Sequence, residues 1–252
     1  MAKKPRSGRL VVLAGPSCAG KSPLVKALDR LHPDLAGGLQ PVVLFTSRAP
    51  RPGERDGEDY HFRARDQVES LRADPRYAVL DVRGDLQAID LRDLRTLLGR
   101  GDALFEGNPF VGTALLEYPD LARVAKVSAF LSPVSREEIL DLRTRPEADL
   151  RGLVTDVMRR KLLRRTRRQK GELSLRDLEN IEKRCGSAYA ELRMAWRYDR
   201  VIPNHDGEDS ENWDAFYWPL GDARRALCAV VALLRGEEPA GVERWERDLL
   251  PE

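Results

Sequence analysis

Apolar runs alternate with amphipathic stretches along most of the chain. Arg9–Ala14 is a nearly continuous apolar run, and residues 22–31 after it place Leu24, Val25 and Leu28 at helical spacing. Further apolar runs predict strands at 41–45, 77–82, 103–106, 125–131 and 200–203. Helical patterns lie at about 66–73, 90–100, 113–122, 136–143 and 221–235. This order predicts an α/β fold in which helices flank a central parallel sheet.

Length and charge limit the other possibilities. With 252 residues, 42% of them hydrophobic, the chain can bury one sizeable core that carries mobile appendages. The 43 Lys and Arg nearly balance the 41 Asp and Glu, which predicts no nucleic-acid or membrane partner. The 3 cysteines are widely spaced, and no apolar run has the length of a membrane span or signal peptide. We expect a cytoplasmic monomer or homodimer, with residues 1–8 as a disordered tail.

The segment between the first strand and the first helix predicts a phosphate-binding loop. It reads G-P-S-C-A-G-K-S over residues 15–22 and satisfies G-x-x-x-x-G-K-[ST]. Its glycines let successive N–H groups point at phosphate oxygens, and the helix that follows adds its positive dipole end. Lys21 supplies a charge for the β- and γ-phosphates, and the Ser22 hydroxyl is placed to bind Mg²⁺. We therefore predict an ATP and Mg²⁺ site at Gly15, Ser17, Cys18, Ala19, Gly20, Lys21, Ser22 and Pro23.

A second anion site is predicted over residues 46–62, which read T-S-R-A-P-R-P-G-E-R-D-G-E-D-Y-H-F. Arg48 and Arg51 flank a proline and can face one anion, and guanidinium groups bind phosphate in a bidentate manner. This segment resembles the acceptor-phosphate segment of the guanylate kinase family, T-T-R-x-P-R-x-G-E-x-[ND]-G-x-D-Y-x-F. The resemblance implies that Arg48, Arg51 and Tyr60 hold the phosphate of an acceptor.

The resemblance continues less closely over residues 101–204. It implies that Glu106 orients Mg²⁺ with Ser22 and lies near the acceptor, as does Asn108. It also implies that Arg184 reaches the transferring phosphates and that Asn204 lies near the adenine. The basic run Arg159–Lys170 would supply lid arginines; a solvated helix face is the alternative interpretation. The implied catalytic residues are Lys21, Arg48, Arg51, Arg164, Arg167 and Arg184, with Arg168 as a further lid arginine.

The family resemblance also implies the domain organisation. It predicts a P-loop NTPase three-layer fold with a central parallel sheet, a small acceptor-binding subdomain and a helical lid. Residues 9–252 would form this domain, with its core in 9–45, 91–142 and 185–252. The subdomain would span 46–90 and the lid 143–184. Residues 205–219 combine acids with aromatic side chains and are typical of an ordered excursion or a partner surface.

Residues 77–90 depart from the guanine-reading segment of the family. Asp81, placed in the predicted acceptor site, is one candidate to accept from a ring N–H. Asp85 and Asp90 are others, and Gln87 is a candidate for a base edge. The resemblance implies ATP-dependent transfer of the γ-phosphoryl to a nucleoside monophosphate, GMP or dGMP. The alternatives are a kinase of another monophosphate or of a ribose bisphosphate, a non-catalytic guanylate-kinase-like binding module, and a nucleic-acid binder that uses the basic run.

Overall fold

The computed structural model describes residues 8–51 and 53–251, so the predicted tail, apart from Gly8, lies outside the described residues. Strands and helices alternate along the chain as the sequence predicts. The strands are β1 Leu10–Ala14, β2 Leu39–Pro41, β3 Leu44–Thr46, β4 Tyr60–Phe62, β5 Tyr77–Val82, β6 Asp85–Asp90, β7 Asp102–Gly107, β8 Lys126–Ser132 and β9 Arg200–Pro203. The α-helices are α1 Lys21–Leu31, α2 Pro33–Ala36, α3 Arg65–Ser70, α4 Leu91–Arg100, α5 Pro109–Glu117, α6 Arg136–Arg143, α7 Leu150–Lys170, α8 Leu175–Gly186, α9 Ala188–Leu192 and α10 Gly221–Arg235.

The first sheet is the predicted central parallel sheet. Its strand order is β2-β7-β1-β8-β9, and the pairs β2/β7 and β8/β9 are parallel. Strand β1 is buried at every position, as its apolar run predicts. The single strand predicted over 41–45 is wrong, because β2 ends at Pro41 and β3 begins at Leu44 in another sheet. Pro41 has no N–H for the ladder, and it lies at the end of an edge strand.

The second sheet has four strands in the order β4-β3-β6-β5. Antiparallel pairing sets Thr46 and Leu80 beside Gln87, and Phe45 and Val79 beside Ala88. Neighbours in register point to the same side of a sheet, so these two rows lie on opposite faces. The Ala88 face packs on α3, where Val68 is buried. The other face carries Thr46 and Gln87. Neither β4 nor β6 is predicted from the sequence.

The chain divides into two compact units. The first contains the described residues up to Val12, Gly38–Glu106 and Phe110–Lys126, and thus the whole four-stranded sheet. The second contains Leu13–Gly37, Gly107–Pro109 and the described residues from Val127 onward. The predicted acceptor-binding subdomain therefore lies within the first unit. The phosphate loop and the predicted lid lie within the second.

Two helices make up most of the predicted lid. Helix α7 begins after Asp149, whose carboxylate accepts from the N–H of Gly152, and α8 begins after a capping box of Ser174 and Asp177. Helix α7 buries an apolar stripe that also includes the charged Lys161, so the basic run is not solvated on every side. Among the described residues, no helix has the length and hydrophobicity needed to cross a bilayer.

Candidate functional site

The phosphate loop links β1 to α1, and the residues of the loop lie within the second unit. Gly20 caps α1 in the left-handed conformation, with φ of 96°. The Lys21 side chain is buried, and its ammonium donates to the carbonyl oxygens of Gly15, at 2.9 Å, and Pro16, at 2.8 Å. The lysine is thereby folded along the loop rather than extended into solvent. This arrangement places a positive charge beside the main-chain groups that the motif predicts to bind phosphate.

Cys18 occupies an unusual position in this loop. Its φ is 67°, a left-handed value that costs a non-glycine residue about 1 kcal/mol or more. The side chain is fully buried. Burial, together with the carboxylates of Glu208 and Asp209, raises the pKa of the Cys18 thiol to about 12. Cys18 is therefore a neutral thiol near physiological pH, and it packs instead of reacting.

Two of the sequence-predicted residues contact this loop directly. Arg184 Nε donates to Ser17 Oγ at 3.1 Å, which brings a guanidinium of α8 to the loop. Asn204 is fully buried, and its amide donates to the carbonyl of Ala19 at 2.8 Å. A Cβ on Gly20 would lie 2.5 Å from that amide nitrogen, so only glycine fits there. Asn204 thus holds the loop; its contact with adenine stays a prediction.

Two of the predicted lid arginines, Arg164 and Arg168, contact Asp209, a residue that sequence reasoning missed. Arg164 Nε lies 2.9 Å from Asp209 Oδ2, and Arg168 Nη1 donates to the Asp209 carbonyl at 2.7 Å. Arg167 lines a surface groove with Arg164 and Glu172. The sequence offered one signal for this contact, charge complementarity. The basic run Arg159–Lys170 and the acids of residues 205–219 occur in one chain with a net charge of only +2.

The acceptor-side arginines lie in the first unit and share one carboxylate. Glu54 accepts from Arg48 Nη1 and Nη2, each at 2.7 Å, and from the main-chain N–H of Arg51 at 2.7 Å. Burial alone would raise the pKa of Glu54, but these donors together lower it below its usual value. The Arg48 guanidinium also lies 4.8 Å from the centre of the Tyr60 ring. The structure thus brings Arg48, Arg51 and Tyr60 together, with Glu54 as a site residue that our sequence reasoning did not select.

Asp81 and Gln87, two of the candidates for contact with the acceptor base, lie on opposite faces of the four-stranded sheet. Asp81 follows Tyr77 and Val79 on the face that packs on α3, where it accepts from the N–H of Gly84 at 3.0 Å. Asp90 caps α4. Gln87, 8% exposed, points to the opposite face, beside Thr46. Leu44 lies two residues before Thr46 and therefore on the same face, and Tyr60 is paired in register with Leu44. Gln87 thus shares a sheet face with Tyr60, whereas Asp81 lies on the opposite face.

The predicted metal and acceptor residues after β7 divide between the units. Glu106 lies near the end of β7 in the first unit. Asn108 lies in the second unit, where its amide donates to Oε1 of the buried Glu191 at 3.0 Å. Over residues 8–51 and 53–251, no group of three or more His, Cys, Asp or Glu is arranged to hold a metal ion. A metal here would need oxygen ligands from a bound substrate as well.

Known proteins resemble the chain over most of its length. The guanylate kinase of Corynebacterium jeikeium (strain K411) is 38% identical over 212 residues, which cover 82% of the chain and 93% of that relative. The chain belongs to the guanylate kinase family. The guanylate kinase of Idiomarina loihiensis is 30% identical over 83% of the chain and 85% of its own length. The guanylate kinase family model matches residues 7–77, which contain both predicted phosphate-binding segments.

The same family is found among solved structures. A crystal structure of guanylate kinase from Anaplasma phagocytophilum matches with a TM-score of 0.54, covering 92% of the chain and 87% of that protein. At 20% identity this likeness supports the fold alone. The family resemblance and the fold class predicted from the sequence are both confirmed.

Proposed function

We propose that this protein transfers the γ-phosphoryl group of ATP to the phosphate of a nucleoside monophosphate, GMP or dGMP. The observation that carries the proposal is that Glu54 accepts hydrogen bonds from the Arg48 guanidinium and from the main-chain N–H of Arg51. The same chain has a complete phosphate-loop sequence from Gly15 to Ser22. One segment suits the triphosphate of a donor and the other suits the monophosphate of an acceptor. The relatives named above are guanylate kinases, which favours a guanine nucleotide as the acceptor.

Phosphoryl transfer needs little covalent help, so positioning and charge neutralisation do most of the work. The loop amides and Lys21 bind the phosphates of ATP. Arg184 stabilises charge on the group in transfer, as do the lid arginines Arg164, Arg167 and Arg168. Arg48, Arg51 and Tyr60 orient the acceptor phosphate, and Gln87 contacts the acceptor base. Asn108 contacts the acceptor, and Asn204 lies near the adenine of ATP.

Mg²⁺ is the metal that this chemistry implies. It would supply positive charge that neutralises part of the negative charge on the ATP phosphates. Ser22 and Glu106 would hold it, and both offer the oxygen ligands that Mg²⁺ prefers. Mg²⁺ usually takes only one or two carboxylates besides substrate phosphates and water, so this small donor set suits it. We further propose that the chain acts in the cytoplasm, as a monomer or homodimer, on small molecules only.

A second acceptor class is favoured by the sheet face that carries Thr46 and Gln87. Leu44 and Ile89 point to this face by strand alternation, and both are buried. Aliphatic side chains offer no hydrogen bond to a guanine edge, and sites that read a polar edge depend on such bonds. Another nucleoside monophosphate or a ribose bisphosphate is therefore the alternative acceptor.

A panel of acceptors separates these possibilities. ADP release would be measured with MgATP and, in turn, GMP, dGMP, AMP, CMP, UMP and ribose 1,5-bisphosphate. The proposal expects the highest kcat/KM with GMP or dGMP. A higher value with another acceptor would replace the guanine nucleotide but keep the phosphotransferase. Tight ATP binding without ADP release from any acceptor would contradict the proposed enzyme and favour a binding module.

A further inference from the structure

Residues 205–213, which we name the acidic segment, lie directly against the phosphate loop. A Cβ on Gly207 would be 2.3 Å from the carbonyl oxygen of Cys18, so the two main chains approach as closely as glycine allows. The Trp213 indole N–H donates to the carbonyls of Asp206, at 2.9 Å, and Gly207, at 3.0 Å. The same ring would lie 3.0 Å from a Cβ on Gly20. The segment is thus folded onto the loop and fixed there by its own tryptophan.

The acidic segment also contacts helix α7. The buried Lys161 ammonium donates to the carbonyl of His205, and Arg165 lies 2.5 Å from Glu208. Arg168 donates to the carbonyl of Asp209 and, at 2.5 Å, to the carboxylate of Glu211. One short segment therefore connects two parts of the second unit that both bear on ATP, the phosphate loop and the lid arginines.

Asp209 lies where these two sets of contacts meet. Its side chain is only 6% exposed and lies 2.9 Å from Arg164, while its Oδ1 is 3.9 Å from the Cys18 sulfur. A buried carboxylate is costly unless it is paired, so Asp209 needs a cationic partner, and Arg164 is in place to be one. Asp209 therefore contacts both the Arg164 side chain and Cys18 of the phosphate loop, so it links the position of one to that of the other.

We propose that Asp209 is a positioning residue for ATP, which aims the Arg164 guanidinium relative to the phosphate loop. The inference rests on the proposed use of ATP as donor. Arg164 meets Asp209 through Nε, and its side chain is 65% exposed. The guanidinium carries further N–H groups on its terminal nitrogens, so this contact fixes the side chain without covering it. An arginine held in this way loses less conformational freedom when it binds a phosphate.

The first test is Asp209→Asn, with Asp214→Asn as a matched control at an exposed carboxylate nearby. MgATP binding would be measured by isothermal titration calorimetry without any acceptor, and KM for ATP and for the acceptor by steady-state kinetics. We expect the Kd for MgATP to rise about tenfold, as for the loss of a charge-assisted hydrogen bond. The KM for the acceptor and the behaviour of the control should not change.

Other outcomes would overturn the proposal. Tighter ATP binding would show that the carboxylate competes with phosphates. An unchanged Kd would remove any role for Asp209 in ATP binding. A parallel rise in both KM values with a lower melting temperature would indicate a structural role only. Because ATP binding is measured without an acceptor, loss of the proposed kinase activity and loss of this inference are distinguishable.

Arg164 provides a second test, and its single variants do not depend on the folding of Asp209→Asn. Arg164→Lys keeps the charge but removes the Nε group that Asp209 holds. The proposal expects this variant to lose as much ATP affinity as Arg164→Ala, and Asp209→Asn to cause no further loss in the Arg164→Ala background. Wild-type affinity in Arg164→Lys, or additive losses in the double variant, would overturn it.

Discussion

The Glu54 carboxylate binds Arg48 through both terminal nitrogens of the guanidinium, each at 2.7 Å. The same carboxylate accepts the main-chain N–H of Arg51. Arg48 is also covered on one side by the rings of Tyr60 and Phe62, whose centres lie 4.8 and 5.5 Å from it. The acceptor phosphate would therefore meet an Arg48 side chain and an Arg51 main chain whose positions are already set, which reduces the entropy cost of binding.

Glu54→Gln should weaken the binding of the acceptor. A neutral amide cannot accept both guanidinium donors with the strength of a carboxylate, so the Arg48 side chain and the main chain at Arg51 are held less firmly. We expect the KM for the acceptor to rise about tenfold while the KM for ATP stays the same. Steady-state kinetics with each substrate varied in turn measures both. Glu58→Gln is the control, because Glu58 and its partner Arg55 are largely exposed, and an equal effect there would contradict the assigned role.

The Glu54 contacts also predict a dependence of stability on pH. The pKa of Glu54 in the folded protein is below the ordinary value of 4.5. Its stabilising contribution is therefore present above that value and is lost as the pH falls through the lower, folded pKa. The difference in melting temperature between the wild type and Glu54→Gln should be constant above about pH 6 and shrink below about pH 4. Thermal unfolding followed by circular dichroism tests this, and a difference that grows in acid would refute it.

Lys21→Ala should abolish phosphoryl transfer while the protein stays folded. The lysine is the charge within the phosphate loop, and such groups contribute at least about a hundredfold to kcat. ADP release under saturating substrates is the measurement. Lys26→Ala, at an exposed position of the same helix, should keep the wild-type rate. Activity in Lys21→Ala above a tenth of the wild-type rate would be incompatible with the proposed chemistry.

The three cysteines should differ sharply in reactivity. Cys228 is exposed, whereas Cys18 and Cys185 are buried. Burial also raises the pKa of the Cys18 thiol to about 12, so hardly any thiolate forms at about pH 8. With a thiol-reactive disulfide reagent, Cys228 should react quickly and Cys18 only on unfolding. Mass spectrometry of the labelled protein identifies the sites, and rapid labelling of Cys18 in the native state would show that the acidic segment does not cover the loop.

The phosphate loop and the 46–62 segment could be predicted because short sequences determine them. The loop needs glycines and a lysine at fixed spacing between a strand and a helix, and the structure places residues 15–22 in that context. Arg48 and Arg51 are likewise close in sequence, so their common partner Glu54 was within reach of the same reasoning. Family membership followed from these two segments.

The base-contacting residue required the strand register, which the sequence did not reveal. Asp81 and Gln87 lie in adjacent strands, and the pairing of Leu80 with Gln87 decides which face each presents. A shift of one residue would exchange the faces, and β6 is buried at all four of its central positions, so no alternation of buried and exposed residues fixes the register. Missing β6 therefore led to Asp81 in the predicted acceptor site.

The role of the acidic segment was out of reach for a different reason. Cys18 and Asp209 are separated by 191 positions, so no local pattern connects them. Charge complementarity with the basic run was visible in the sequence, but many surface segments share it. Only the fold shows that Gly207 lies against the loop.

The close approach of Gly207 to Cys18 has a consequence for synthesis on the ribosome. The loop leaves the exit tunnel well before the residues that pack on it, because Asp209 follows Cys18 by 191 positions. Until Gly207 and Asp209 are available, the left-handed Cys18 lacks the cover that offsets its conformational cost. The growing chain should therefore acquire nucleotide affinity only after the acidic segment has left the tunnel, and products truncated before that segment should not sequester ATP.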